Sequence, residues 1–214
     1  MTLRMAVFFF VMPLLWVALH GYVGRRLIAD SGLRTAWKRV AWGVVATLAL
    51  LPPLTVVSLR TDLLGPSPAL QWLGYLSMGL SSIVLVMLLT LDALRLMRGG
   101  LLRLRPTPTA PDPSRRAFLG RAVNLGIVGG AGSVTGVGVV QARQLPDVQE
   151  TEVPLKGLPP QAAGLRIVQI SDVHVGPTIR GEYLAGVVDR VNALEPDIIA
   201  VTGDLIDGFV DQLR

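Results

Sequence analysis

Residues 165–176 read Leu-Arg-Ile-Val-Gln-Ile-Ser-Asp-Val-His-Val-Gly, and residues 196–208 read Pro-Asp-Ile-Ile-Ala-Val-Thr-Gly-Asp-Leu-Ile-Asp-Gly. Each carries a short apolar run rich in β-branched residues, Leu165 to Ile170 and Ile198 to Val201, which predicts a buried strand. Between them, Leu184, Val187, Val188, Val191 and Leu194 fall on one face of a helix expected over 181–194, with Pro196 ending it. A strand–helix–strand unit of about 30 residues predicts a right-handed parallel crossover.

The polar residues follow the strands. Ser171-Asp172-Val173-His174 comes after the first and Gly203-Asp204-Leu205-Ile206-Asp207 after the second. Ligands of open parallel sheets bind at these carboxyl ends. Neighbouring strands lie about 4.8 Å apart, so Asp172 and Asp204 can reach one ion, and His174 can curl back toward it. Gly203 permits a tight turn. Oxygen and imidazole donors without sulfur suit Mn, Fe or Zn.

Asp172-x-His174 followed by Gly203-Asp204-x-x-Asp207 resembles the opening motif pair of the calcineurin-like metallophosphoesterases, and the surrounding residues resemble their membrane-anchored bacterial branch. The resemblance covers Leu165 to Gly208. It implies that Asp172 and His174 bind a first metal, that Asp204 bridges to a second, and that Asp207 stands behind the ligands. It implies two divalent ions and hydrolysis of a phosphoester. The family's later motifs, Gly-Asn-His-Asp/Glu and Gly-His-x-His, do not occur in these 214 residues, and His20 is the one histidine besides His174. The family's catalytic histidine belongs to those motifs, so no catalytic residue is assigned. The expectation is an N-terminal fragment, inactive alone, of a longer enzyme whose domain is an αββα sandwich.

Upstream the chain changes character. Overall it is 51% apolar and 16% charged, against about 25% charged in soluble domains, with mean hydropathy +0.54. Apolar runs near 5–23, 40–59 and 70–94 each approach the roughly 20 residues that span a bilayer, with a kink expected at Pro52-Pro53. A fourth run, 117–142, is weaker and holds Arg121 and Asn124. Cations cluster after the first run (Arg25, Arg26, Arg34, Lys38, Arg39) and after the third (Arg95, Arg98, Arg103, Arg105, Arg115, Arg116), whereas Arg60 is alone between the second and third. Positive loops stay cytoplasmic, so the N-terminus and the C-terminal part are expected outside. His20 and Asp92 are expected near the cytoplasmic ends of their spans, with Asp92 beside Arg95.

Residues 105–116 form a linker in which Pro106, Pro108, Pro111 and Pro113 favour extended chain. Its end, Ser114-Arg115-Arg116-Ala117-Phe118-Leu119-Gly120, resembles a twin-arginine export signal, departing only at Gly120, and implies the twin-arginine machinery as a partner. A weak cleavage signal ends at Ala142. The glycines of this run lack a preceding strand and the G-x-G-x-x-G spacing, so no dinucleotide site is expected. Gly126 with Gly130, and Gly132 with Gly136, have the spacing of close helix packing.

Charge divides the same way. Residues 1–140 carry net +10 and residues 141–214 net −5. The basic residues flank apolar runs, so no nucleic-acid partner is expected. Absence of cysteine excludes disulfides, thiolate metal sites and thiol nucleophiles. The fold class expected is a multi-span α-helical membrane region followed by an α/β segment over 143–214, with Thr151 to Leu155 as an edge strand. The function expected is a phosphoesterase in the bacterial cytoplasmic membrane, on a lipid-linked or cell-wall phosphate such as UDP-2,3-diacylglucosamine. The alternative is a non-catalytic membrane scaffold or sensor with a vestigial domain.

Overall fold

The computed structural model describes residues 3–29, 31–60, 67–102, 112–176 and 181–207. The chain divides into two compact units, Met1–Gly138 and Val139–Arg214.

The first unit holds α1 (Leu3–Ile28), α2 (Thr35–Arg60), α3 (Pro68–Leu102) and most of α4 (Pro113–Ala142). Among the described residues, 35–59, 68–100 and 114–142 are each long and apolar enough to cross a membrane. The weaker fourth run is therefore one of the three, and α1 covers the first run. By length and composition these helices make a multi-pass membrane region. Its core brings together Val23 of α1, Val84 and Leu88 of α3, and Ile127 and Ala131 of α4.

α2 continues through Pro52 and Pro53. Neither can donate to the carbonyl four residues back, and bilayer hydrocarbon offers no water instead. Side chains from two other helices fill the gap. Ser77 Oγ donates to Leu48 O at 2.5 Å and Trp16 Nε1 donates to Ala49 O at 2.8 Å. Polar side chains thus act as glue between helices.

The ionisable residues gain partners beyond their own helices. Asp92 pairs chiefly across helices: Arg26 Nε donates to its Oδ2 at 2.8 Å, Arg26 Nη2 meets Oδ1, and Tyr22 Oη donates to Oδ2 at 2.8 Å. The expected pair with Arg95 is also present, at 3.4 Å. An isolated helix offers only neighbours three or four residues away, whereas the packed bundle offers a two-pronged arginine. His20 lies inside the helical unit. It is buried, its ring bonded to Trp16 O at 3.0 Å and Ser81 Oγ at 3.2 Å. Ser81 lies about 20 Å along α3 from Pro68 at 1.5 Å per residue.

α4 corrects the linker boundary. Residues 105–111 lie outside the described residues, but Pro113 to Arg116 are helical. Proline is tolerated at a first helical position, where no amide partner exists. Asp112 caps the helix, its Oδ1 accepting from Ser114 N at 2.9 Å. That backbone bond holds the Asp112 carboxyl below the ordinary aspartate value. Asn124 donates to Arg26 O and Leu27 O, each at 3.3 Å, which explains a polar residue in this run. Of the paired glycines, Gly130 lies against Met87, and a Cβ at Gly126, Gly132 or Gly136 would meet nothing within 4 Å. Ile127 and Ala131, not the G-x-x-x-G spacing, make the packed face.

The second unit holds a 3-10 turn at Pro160–Ala162, β1 (Ile167–Ser171), α5 (Gly181–Asn192) and β2 (Ile198–Thr202). The strands pair in parallel, Ile167 opposite Ile198 through Ser171 opposite Thr202. Asp197 fixes their start: its Oδ2 accepts from Arg166 N at 2.7 Å, and its N donates to Arg166 O at 2.9 Å. α5 buries Val187 and Val191, whereas Val188 is exposed. Residues 144–148 cover part of α5: Leu145 fills the space beside Gly186, and Arg190 donates to Pro146 O at 2.6 Å.

Two expectations fail here. Residues 151–155 are not a strand and are exposed, because alternation without a partner edge makes no ladder. The strands are less buried than their composition implies, with Ile167, Ile198, Ile199 and Val201 exposed. One helix cannot cover both faces of a parallel sheet.

Candidate metal centre

The pairing of β1 and β2 does not stop at the strand ends. Asp172 N donates to Thr202 O at 3.3 Å, His174 N to Asp204 O at 3.1 Å, Val175 N to Leu205 O at 2.9 Å, and Asp207 N to Val175 O at 2.8 Å. Val175 and Ile206 form a further parallel bridge. Main-chain bonds therefore join the two loops that carry the candidate ligands.

The backbone there is unusual. Asp172 has φ 53° and His174 φ 51°, left-handed values uncommon for residues with a side chain, while Val173 between them is buried. Such conformations cluster where surroundings enforce them, and functional sites are enriched in them. Gly203 has φ 70°, and a Cβ there would lie 2.8 Å from Asp172 Cγ, well inside contact distance. The missing side chain leaves a cradle that the Asp172 carboxylate fills. Asp172 Oδ1 also accepts from Asp204 N at 3.3 Å. Gly176, which the sequence reading did not single out, plays a similar part: a Cβ would lie 2.5 Å from Asp207 O. Its place two residues after His174 was the available signal.

His174 Nδ1 and Asp207 Oδ2 are 2.8 Å apart. With Nδ1–H as the donor, the tautomer leaves Nε2 as the lone-pair nitrogen, the pattern by which a carboxylate orients a metal-binding imidazole. Both side chains are exposed. Asp172, His174, Asp204 and Asp207 thus share one end of the sheet, on two bonded loops. Among the described residues, no three His, Asp or Glu side chains are grouped closely enough to hold an ion as they stand. In chemistry the set fits a divalent cation: carboxylates, one imidazole paired with a carboxylate, and a glycine cradle. The export-like motif lies elsewhere, in the first turns of α4, with Ser114, Arg115, Arg116, Phe118 and Leu119 all exposed.

No family model matches the chain, and no solved structure matches it. Several curated proteins do. A transmembrane protein with metallophosphoesterase domain from Danio rerio is 44% identical over 77 residues, 36% of this chain and 18% of the relative. An uncharacterized metallophosphoesterase of Helicobacter pylori is 26% identical over 102 residues, 48% of this chain and 27% of the relative. The UDP-2,3-diacylglucosamine pyrophosphatase LpxG of Chlamydia trachomatis is 44% identical over 43 residues, 20% of this chain and 13% of the relative. The matched part spans less than a third of each of these relatives. What the chain resembles is therefore a group of metallophosphoesterases, transmembrane proteins among them.

Proposed function

We propose that this chain belongs to a metal-dependent phosphoester hydrolase of the bacterial cytoplasmic membrane, with its N-terminus and its C-terminal unit on the outer side. The observation that carries the reading is the pair of loops at the carboxyl ends of neighbouring parallel strands, bonded through their main chains, with the Asp172 carboxylate seated over Gly203. Relatives named metallophosphoesterases support the same chemistry.

In this reading Asp172 and His174 hold a first divalent ion and Asp204 bridges to a second, whose other ligands come from further motifs of the complete protein. Asp207 fixes the His174 ring through Nδ1. The ions, when bound, supply Lewis acidity and an activated water for in-line displacement at phosphorus. The bonded loops hold the two backbones together, and the side chains converge when an ion binds. Mn, Fe or Zn suits this donor set.

The substrate class is a lipid-linked or cell-wall phosphate, with UDP-2,3-diacylglucosamine as its model; the likeness to LpxG supports it. Export through the twin-arginine machinery rests on the motif of Ser114, Arg115, Arg116, Phe118 and Leu119 alone. The clustering of cations at Arg25, Arg26, Arg34, Lys38 and Arg39 supports the orientation.

The test is hydrolysis of a chromogenic phosphodiester by the complete protein in detergent. Activity that requires Mn2+, vanishes with chelator and returns on re-addition agrees with the proposal. Absence of hydrolysis with Mn2+, Fe2+ and Zn2+ alike, in protein shown to be folded, overturns it.

A further inference from the structure

His20 is the buried histidine of the helical unit, at 5% exposure. The stretches 5–21, 40–59, 68–91 and 122–142 hold two ionisable side chains, His20 and Tyr75, and Tyr75 is exposed. An ionisable side chain kept inside so apolar a bundle is expensive and marks function more often than packing.

The partners of the ring fix one of its protons and leave the other free to come and go. Nδ1 lies 3.0 Å from Trp16 O. A carbonyl only accepts, so Nδ1 carries a hydrogen in both the neutral and the charged ring. Nε2 lies 3.2 Å from Ser81 Oγ, and a hydroxyl both donates and accepts. With a neutral ring, Ser81 donates to Nε2. With a charged ring, Nε2–H donates to Ser81 Oγ, and the hydroxyl hydrogen turns to another acceptor. The carbonyl four residues back, Ser77 O, offers one. Thr47, Ser82 and Thr135 already donate in that way to Gly43 O, Met78 O and Ala131 O. Both forms of the ring are thereby satisfied with the heavy atoms where they stand.

The charge has a neighbour as well. The Trp16 and His20 ring centroids are 4.4 Å apart, with the planes tilted by 55°. Tryptophan attracts a cation more strongly than the other aromatic side chains at such a distance. Carboxylates are not at hand. Asp92 follows Ser81 on α3 by 11 residues, about 16 Å at 1.5 Å per residue. It is engaged by Tyr22, Arg26 and Arg95. α2 holds no ionisable group between Arg39 and Arg60, nor α4 between Arg121 and Ala142. On α1 the next ones are Tyr22, Arg25 and Arg26. Burial opposes a charged ring, and Trp16 O, Ser81 Oγ and the indole face offset that opposition.

We propose that His20 is a reversible proton-binding site inside the helical unit, with Ser81 as the partner that changes from donor to acceptor and the Trp16 indole as the neighbour of the charge. The proton adds at Nε2, whose lone pair becomes an N–H bond. Nδ1–H is unchanged and the ring gains one positive charge.

The test is nitrogen NMR of isotope-labelled histidine in the full chain in detergent micelles, read against pH. The resonances missing from His20→Gln assign the site. On acidification Nε2 is expected to pass from the unprotonated to the protonated range, while Nδ1 stays protonated throughout. Ser81→Ala removes the hydroxyl and should weaken proton affinity roughly three- to tenfold, the scale of one charge-assisted or cation–π contact. Ser81→Thr keeps a hydroxyl and should titrate as the parent does. Trp16→Phe and Trp16→Leu both delete the indole donor to Ala49 O. Phenylalanine keeps an aromatic face, so leucine should weaken proton affinity more. An Nε2 that stays unprotonated until the helices unfold overturns the proposal. A proton affinity that no variant moves, or that falls equally with phenylalanine and leucine, overturns it too, since packing alone then accounts for the contacts.

Discussion

Asp172 rests its carboxylate in the space that a side chain on Gly203 would occupy, so the two residues form one unit across neighbouring loops. The contact joins the end of β1 to the end of β2, and each member enforces the other's conformation. Gly203→Ala is therefore expected to fail twice, by displacing Asp172 and by placing a Cβ at φ 70°. The backbone penalty alone is about 1–3 kcal/mol. In the complete protein, titration calorimetry with Mn2+ should show weaker binding. Affinity equal to the parent's would show that the cradle has no part in holding metal.

Asp207 is expected to act on metal through His174 alone. Asp207→Ala should lower metal affinity by roughly 10–100-fold, the usual effect of losing a carboxylate behind a histidine ligand. Asp207→Asn retains an acceptor oxygen and should lose less. If alanine and asparagine bind Mn2+ as tightly as the parent, the 2.8 Å pair is an ornament of the loop.

The Arg26–Asp92 pair predicts a different readout. Asp92→Asn leaves a guanidinium without its anion and should lower the melting temperature in detergent, as should Arg26→Ala. Each side chain keeps over a quarter of its exposure, so the cost is expected near 1–2 kcal/mol, below the 3–5 of a fully buried pair. Arg95→Ala, at the longer contact, should change little. A larger effect from Arg95 than from Arg26 would reverse the assignment.

At the start of α4 the expectation concerns pH. The Asp112 carboxyl is held below its ordinary value by the Ser114 amide, so protons bind the uncapped chain more readily than the capped one. The cap then contributes fully above the ordinary aspartate pKa, and its contribution fades as pH falls through the lowered one. Helical content reported by an isotope label at Ser114–Arg116 should decline in that acidic window. Asp112→Asn, which accepts the same bond without titrating, should flatten the decline; an equal decline in both would assign it to another group.

Much of this architecture was legible because its signals are local. The four apolar runs, the helix before Pro196 and the two β-branched strands each declare themselves within their own residues. That Asp172, His174, Asp204 and Asp207 share one end of the sheet was legible too, since parallel pairing forces the ends of both strands to one side. Tertiary partners were not. Asp92 lies three residues before Arg95, yet Arg26 of another helix presents two donors and prevails. His20 takes a partner, Ser81, from 61 residues away, which its own apolar run does not reveal. Thr151 to Leu155 alternates as a strand does, but alternation requires an edge to join. Pro113 looked like part of a breaker and opens a helix, because its effect depends on whether a helix precedes or follows it.

The main-chain bonds that carry on from β1 and β2 into the loops have a consequence for change over generations. Asp172, His174, Asp204 and Asp207 are displayed on a frame held largely by main-chain bonds, to which the His174–Asp207 pair, the Asp172–Asp204 amide bond and the seat at Gly203 add. In the proposed metal centre ligand identity can therefore drift, one carboxylate for an imidazole or an amide, with the frame kept. A lineage could retune its metal preference by single substitutions at these positions, while the frame itself tolerates change least at Gly176 and Gly203, which donate nothing to an ion.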